Sequence, residues 1–264
     1  MTAELVIIFI VSGIVVGFIN TLAGGGTLIS MSLFLMLGLP PAVANGTNRI
    51  AVVLQNLVSV LNFRQEKLLN LRKSVCCTVP VALGSLLGSN LSIIINEKAF
   101  TVFFVIIMSI MLLLMFIKPN KWLIGNPDRM QKPISVLQWI LYFLIGIYAG
   151  FIHIGMGYFL LAVLVLMNGY DLRHANAVKS FIVLFYTPVS LIAFMYHGFV
   201  NYEYGLTHAV GNMIGAYIAS KWAINWGTNF IRWVVAVFCI VSCLYVLDIL
   251  DLEAIFHALF HKEK

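Results

Sequence analysis

Charge is what this sequence has least of. Asp, Glu, Lys and Arg together make up 10% of its 264 residues, against about 25% in an average soluble domain. A water-soluble globular protein is therefore excluded. The apolar runs also lack the alternation of apolar and polar residues that strands of a membrane barrel require, which excludes that class too. Cysteine is scarce: Cys76, Cys77, Cys239 and Cys243 all lie inside apolar stretches. Cys239 and Cys243 stand one helical turn apart, but no His or carboxylate shares their face. They read as small packing residues, and no metal site is expected. Nucleophiles with an adjacent base, metal-ligand clusters and paired carboxylates are missing as well. A membrane-embedded enzyme or accessory subunit, an alternative class, would have to work without them. The first stretch has no basic n-region, Glu4 being its only early charge, and no small-residue cleavage site follows it. It reads as a mature helix, not a signal peptide.

What the sequence does have is hydrocarbon. Hydrophobic residues make up 61% of the chain, and its mean hydropathy is +1.00. Unbroken apolar stretches run at Leu5–Ile19, Ile50–Leu61, Val75–Ile95, Phe100–Ile117, Val136–Ile152, Phe159–Met167, Phe181–Met195 and Ile231–Leu247. Several approach or exceed the roughly 18–20 residues that span about 30 Å of hydrocarbon as a helix. The fold class is an all-α polytopic membrane bundle of about eight to ten membrane segments.

Most of the 16 Lys and Arg fall where one orientation puts them on a single side: Arg64, Lys67, Arg72, Lys73, Lys118, Lys121, Arg129, Lys132, Arg173, Lys221 and Arg232. The net charge of +6 is thus topology information, not a nucleic-acid footprint. By the positive-inside rule this side is cytoplasmic, and both termini are expected outside.

The chain repeats itself. Gly13-Ile-Val-Val-Gly17-Phe18-Ile19 returns as Gly146-Ile-Tyr-Ala-Gly150-Phe151-Ile152. A glycine cluster follows each, Gly24-Gly25-Gly26 and Gly155-Met156-Gly157, with Gly38 or Gly169 beyond it. Ala44-Asn45 matches Ala175-Asn176, and Gly84…Gly88 matches Gly211…Gly215. The loop from Arg64 to Lys73 is strongly basic, whereas its counterpart from His197 to Glu203 has no Lys or Arg. Equivalent loops on opposite faces imply inverted-topology repeats, which need an odd number of crossings each. The expected organisation is a first repeat over residues 1–117, a cytoplasmic linker over 118–135, a second repeat over 136–248 and a tail over 249–264. Each repeat holds five segments. The second is a half-membrane helix, Thr27–Leu37 or Tyr158–Asn168, of about 16 Å at 1.5 Å per residue.

The glycine clusters break helices at membrane depth, which is tolerated only when the backbone is buried in protein or lines a wet cavity. Helix N-termini at such a break suit an anion. Asn20 and His153 stand just before the two breaks. The glycine pairs Gly13/Gly17 and Gly84/Gly88, with their repeat partners, read instead as sites of close helix packing. In the third segment Asn45, Asn48, Arg49, Gln55, Asn56 and Ser59 fall within a sector of roughly 120°. Their equivalents in the second copy are Asn176, Lys179, Ser180, Tyr186, Thr187 and Ser190. Such a stripe must face the bundle interior or water. Each copy contributes one cation, Arg49 or Lys179, and no buried carboxylate is evident to neutralise either. Helix-end charges snorkelling to the headgroups are one reading of them, but two cations unpaired by any carboxylate between broken helices call instead for an anionic guest. His153 reads as a hydrogen-bonded structural residue or a proton relay, while His197 and His208 look ordinary.

The run Gly17-Phe18-Ile19…Gly24-Gly25-Gly26…Gly38-Leu39-Pro40-Pro41…Ala44-Asn45-Gly46-Thr47-Asn48-Arg49, then Gln55-Asn56, resembles the TauE/SafE sulfite-exporter family. Ala175-Asn176-Ala177-Val178-Lys179-Ser180 looks like that family's repeated motif. Met156 interrupts the second glycine cluster, a departure from the full triple glycine. The resemblance implies a bacterial or archaeal inner-membrane carrier moving sulfite, organosulfonates or related carboxylates, usually outward, with no cofactor. The expected binding set is Asn20, Gly24, Gly25, Gly26, Asn45, Asn48, Arg49, Gln55, Asn56, His153, Gly155, Gly157, Asn176, Lys179, Ser180 and Tyr186. The expected partners are a small anion, the bilayer and, for uptake, protons. An anion channel is the alternative that the sequence leaves open.

Overall fold

The computed structural model describes residues 1–22, 24–96, 99, 102, 103, 106 and 125–221. The apolar stretch Ile231–Leu247, most of Phe100–Ile117, Cys239, Cys243 and the tail lie outside them. Among the described residues there are helices and loops and no strand: α1 (Ala3–Leu22), α2 (Thr27–Met36), α3 (Pro41–Gln65), α4 (Leu71–Ile94), α5 (Pro127–Gln131), α6 (Val136–Phe151), α7 (Met156–Leu166), α8 (Leu172–Tyr196) and α9 (Tyr202–Lys221).

Local chemistry sets these boundaries. Pro41, at the first position of α3, needs no N–H partner there. Ser135 and Gln138 form a reciprocal capping box on α6. Asp171 accepts from the Arg173 and His174 amides and starts α8. The half-length helices expected after each glycine cluster are α2 and α7. Each follows a glycine of positive φ, Gly24 at 85° and Gly155 at 64°, a conformation costly for a residue with a Cβ.

Helices α1, α4 and α8 are long and apolar enough to cross a membrane. The bundle is inside out relative to a soluble one. On α4, Val75, Val79, Leu83, Leu87 and Leu91 stand exposed, while Ser74, Thr78, Ser85, Ser89 and Ser92 are buried. The Ser74, Thr78 and Ser89 hydroxyls donate to carbonyls one turn back, at 2.7–2.8 Å, which satisfies them without water. Helix α9 repeats the pattern, with Tyr202, Leu206, Val210, Ile214 and Tyr217 outward.

The two halves interlock. Helix α1 packs on α9 and α6 on α4, α9 also lies on α3 and α8 on α4, and α3 and α8 meet at the centre. The glycine pairs create these contacts, as the repeat suggested. A Cβ on Gly17 would stand 2.1 Å from the Asn212 carbonyl oxygen, and one on Gly88 1.9 Å from that of Ile147.

Loop contacts sort into two ends of the bundle. At one end the Met1 amino group pairs with Glu203 at 2.9 Å, and the Asn201 amide donates to Thr47 Oγ1, near the start of α3, at 2.9 Å. At the other end Lys73 donates to the carbonyls of Met130 and Lys132, and Arg129 Nη1 donates to the Leu166 carbonyl at 2.8 Å. There the start of α6 and the end of α7 border one cavity. The pair α6–α7 is therefore a hairpin that enters and leaves at the same end.

Candidate functional site

The polar stripes of α3 and α8 face inward. Asn45, Asn48, Arg49, Gln55, Asn56 and Ser59 are all buried, as are Asn176, Lys179, Ser180, Tyr186, Thr187 and Ser190. Burial is what their 120° sector demanded.

The cations cross between halves. Arg49, on α3, reaches the C-terminal turn of α6: its Nη2 donates to the carbonyls of Ala149 at 3.2 Å and Gly150 at 2.6 Å, and to Asn45 Oδ1 at 3.3 Å. Lys179, on α8, reaches the C-terminal turn of α1: its Nζ donates to the carbonyls of Asn20 and Thr21, both at 2.9 Å, and to Asn176 Oδ1 at 2.7 Å. The last turn of any helix leaves carbonyls without intrahelical partners and carries partial negative charge. The breaks at Gly24 and Gly155 put two such ends in the protein interior, and each cation caps one of them. The expectation was that no carboxylate neutralises either cation; among the described residues backbone carbonyls and an Asn side chain hold each of them.

The two caps are not equivalent. An ammonium has three protons, and Lys179 uses all three. A guanidinium has five, and Arg49 Nε and Nη1 have no hydrogen-bond partner among the described residues, although the group is fully buried. The Phe194 ring lies under it, 4.7 Å from centroid to Cζ, a cation–π contact that leaves the N–H edge uncommitted. Next to Arg49 in sequence, both amide atoms of Asn48 are buried and unpartnered among the described residues, and so is Ser180 Oγ. An unpaired buried polar atom costs about 1–3 kcal/mol. Uncommitted donors gathered on two packed faces thus mark a place suited to a polar guest.

The residues before the breaks have different duties. Asn20 Oδ1 accepts from the Thr27 amide at 3.0 Å, capping the N-terminus of α2, and its Nδ2 lies 3.4 Å from Gln55 Oε1. Its repeat counterpart His153 caps nothing: Nδ1 stands 2.5 Å from the hydroxyl of Tyr186, the counterpart of Gln55. Asn56 turns back to the Val52 carbonyl at 2.8 Å. Asn45 Nδ2 reaches the Phe151 carbonyl at 2.8 Å, across the second break.

The glycine clusters meet each other. A Cβ on Gly24 would lie 2.4 Å from Gly157 Cα, and one on Gly26 would lie 2.6 Å from the Val16 carbonyl oxygen. Gly24, Gly26 and Gly157 thus have packing duties at the two helix breaks, which touch each other there. Gly25 and Gly155 are buried beside them.

His208 differs from its sequence reading. It is fully buried in α9, with Nδ1 donating to the Phe9 carbonyl at 3.1 Å and Nε2 2.9 Å from Ser30 Oγ. Sequence reasoning also missed the acceptors at Ala149, Gly150 and Thr21. Backbone carbonyls carry no residue-specific signal, but a cation one turn into a helix beside a glycine break could have suggested them.

Outward apolar faces, buried hydroxyls and two capped helix ends in the interior fit the multi-pass helical membrane protein that the apolar helices define. Residues 9–246 match the family model of the sulfite exporter TauE/SafE, and the chain belongs to that family of membrane transporters. A probable membrane transporter protein of Haemophilus influenzae is 30% identical over 234 residues, covering 87% of this chain and 89% of its own. Probable membrane transporter proteins of Sinorhizobium (ORF9) and Bacillus subtilis (YunE) are 25% and 26% identical, over 84% and 83% of this chain and 84% and 88% of their own. No solved structure matches the chain.

Proposed function

We propose that this protein is a secondary transporter that carries a small oxyanion (sulfite, an organosulfonate or a related carboxylate) out of a bacterial or archaeal cell, by alternating access between two inverted repeats. The observation that carries the reading is the crossed pair of cations. Each links the polar helix of one repeat to the broken helix of the other, so binding at a cation bears directly on how the repeats dock.

In this reading the repeats span residues 1–117 and 136–248, with the linker 118–135 on the cytoplasmic side of the inner membrane and both termini outside. The hairpins α1–α2 and α6–α7 enter from opposite faces. In each half two long helices cross, and the apolar stretch Phe100–Ile117 or Ile231–Leu247, expected from its sequence alone to cross as well, would make three, an odd number, which inverts the second copy. Matched features support the duplication: Gly38 and Gly169 share φ values of 79° and 78°, and α1 on α9 mirrors α6 on α4.

The anion's first contact is the uncommitted edge of Arg49, aided by Asn48 Nδ2 and Ser180 Oγ. Lys179, with no proton to spare, acts as a latch that must release the Asn20 and Thr21 carbonyls before it can serve the anion. Competition between anion and carbonyls for the same cations loosens the hairpin tips at Gly24 and Gly157 and lets one repeat rock against the other. With the interior negative, export of a monoanion gains about 2.3 kcal/mol per 100 mV. Uptake would need a coupled ion, for which the His153–Tyr186 pair offers a proton site.

Counterflow of labelled sulfite, sulfonates and carboxylates in proteoliposomes tests the reading. Saturable counterflow supports a carrier, whereas flux without counterflow indicates a channel. Undiminished transport in both Arg49→Ala and Lys179→Ala would remove the proposed site.

A further inference from the structure

Residues 66–70 join α3 to α4, and residues 197–201 join α8 to α9, in the same conformation. Each loop has one residue of positive φ, Lys67 at 55° and Gly198 at 72°. Each folds an amide back on its own helix, Leu68 to the Phe63 carbonyl at 3.0 Å and Phe199 to that of Phe194 at 2.9 Å. Each ends in an Asn that caps the next helix, Asn70 or Asn201.

The two loops are nevertheless seated differently. The α8–α9 loop lies down on α3. A Cβ on Gly46 would stand 2.0 Å from the Phe199 carbonyl oxygen, one on Gly205 would stand 2.8 Å from Ile50 Cδ1, and the Asn201 amide donates to Thr47 Oγ1 at 2.9 Å. The α3–α4 loop instead borders a cavity of about 580 Å³, with Tyr170 and His174 at the start of α8 on its other side. Sequence accounts for the difference, because the positions matching Gly46, Thr47 and Gly205 hold Ala177, Val178 and Ser74. The Ala177 Cβ keeps the Leu68 carbonyl about 1 Å or more farther out than Phe199 comes. Val178 offers no oxygen to the Asn70 amide.

The seated loop also bears on Arg49. Phe194, whose carbonyl holds the Phe199 amide, puts its Cβ and ring 3.0 and 3.1 Å from where a Gly46 Cβ would be, and its ring face lies 4.7 Å from Arg49 Cζ. The residue matching Arg49 is Ser180, which has no charge to place over the matching ring of Phe63.

We propose that the α8–α9 loop is a gate over one end of the Arg49 site, shut in this structure, and that Phe194 is the positioning residue tying the gate to the anion. This rests on the proposed anion carrier with inverted repeats. In that orientation the shut gate faces outside and the hollow end faces the cytoplasm. An anion on the uncommitted edge of Arg49 draws the guanidinium from the Phe194 ring, which slackens the seat at Gly46 and lets the loop lift. Loading from the cytoplasm followed by release of an outer gate is the order that export requires.

The test uses the full chain with its native cysteines replaced. In nanodiscs, where both faces meet the reagent, single cysteines at Asn201 and Asn70 are labelled with a maleimide; both substitutions remove the same cap, so the comparison is level. Asn201→Cys should react about tenfold or more slowly than Asn70→Cys. Gly46→Ala should speed Asn201→Cys about fivefold or more and leave Asn70→Cys unchanged. Saturating methanesulfonate or acetate, whichever wild type carries in counterflow, should also speed Asn201→Cys, and Phe194→Leu should abolish that response. In proteoliposomes, cross-linking Thr47→Cys to Asn201→Cys should cut counterflow about tenfold or more, and reductant should restore it. Equal labelling of the two loops, no response to Gly46→Ala, or full counterflow in the cross-linked protein would overturn the gate while leaving the carrier in place. An anion response retained in Phe194→Leu would overturn the role of Phe194. If wild type carries neither anion, the carrier reading falls, and the labelling rates with and without Gly46→Ala decide the gate by themselves.

Discussion

Replacing Arg49 with Gln separates the two cations by function. The guanidinium is fully buried, gives Nη2 to Asn45 Oδ1 and the carbonyls of Ala149 and Gly150, and keeps Nε and Nη1 uncommitted. A hydrogen bond to an ionised group contributes about 1.5–3 kcal/mol, and 1.4 kcal/mol is tenfold in affinity. If the anion docks on that uncommitted edge, Arg49→Gln should raise the half-saturation concentration by about ten- to 150-fold. Lys179→Met removes a group whose protons are all in use, so it should leave half-saturation near wild type and change the maximal rate instead. Thermal stability discriminates poorly. Losing the ammonium strands three acceptors, at about 1–3 kcal/mol each, but also relieves several kcal/mol of ion desolvation. The assay is therefore concentration-dependent counterflow in proteoliposomes, using whichever of sulfite, an alkylsulfonate or a small carboxylate the wild type moves best. Half-saturation unchanged in Arg49→Gln would refute the reasoning, as would equal shifts in the two variants.

Further outcomes are expected from the packing and the loops. Gly17→Ala gains about 1 kcal/mol of helix propensity but drives a Cβ to within 2.1 Å of the Asn212 carbonyl oxygen. Overpacking of about 1–3 kcal/mol should prevail, lowering the melting midpoint in detergent. Gly38→Ala has open space but a φ of 79°; it should lose about 1–2 kcal/mol from backbone strain alone and leave the α1–α9 contact unchanged by cross-linking. In a cysteine-free background, single cysteines at the exposed positions Glu66 and His197 should be labelled from opposite sides of the membrane; labelling from one side would contradict inversion. Burial raises the Asp171 carboxyl, but bonds from His174 and Arg173 outweigh it and hold the group below its ordinary value. A depressed folded value means a stabilising contribution present above the ordinary carboxylate range and lost as pH falls through the lower folded one. Asp171→Ala, which also removes the α8 cap, should lower stability by about 0.5–2 kcal/mol at neutral pH, with the difference from wild type shrinking in acid.

Much of the architecture was legible because the membrane leaves few solutions. Apolar runs at helical length had to be helices. The Asn45–Ser59 and Asn176–Ser190 stripes had to turn inward, since hydrocarbon cannot solvate them. The glycine pairs foretold close packing because only a missing Cβ lets two backbones approach to within hydrogen-bonding range. Partner identity was harder to read. Asn20 and His153 align in sequence, yet one caps α2 and the other pairs with Tyr186, because the second break is two residues shorter and places its residue at a different angle to the following helix.

The sequence by itself determined a helical membrane protein, a duplication, two helix breaks and one buried cation in each half. Those follow from composition and spacing, which act locally. Only the tertiary structure decided what each cation touches. A chain carries no mark on Gly150 or Thr21 that says a carbonyl there will be stranded by a break and capped from the other half. That pairing comes from the interlock of α1 with α9 and α6 with α4, which brings residues more than a hundred positions apart to one interface. The same interlock leaves Lys179 fully committed and Arg49 with donors to spare, a difference between the two cations that no spacing rule records.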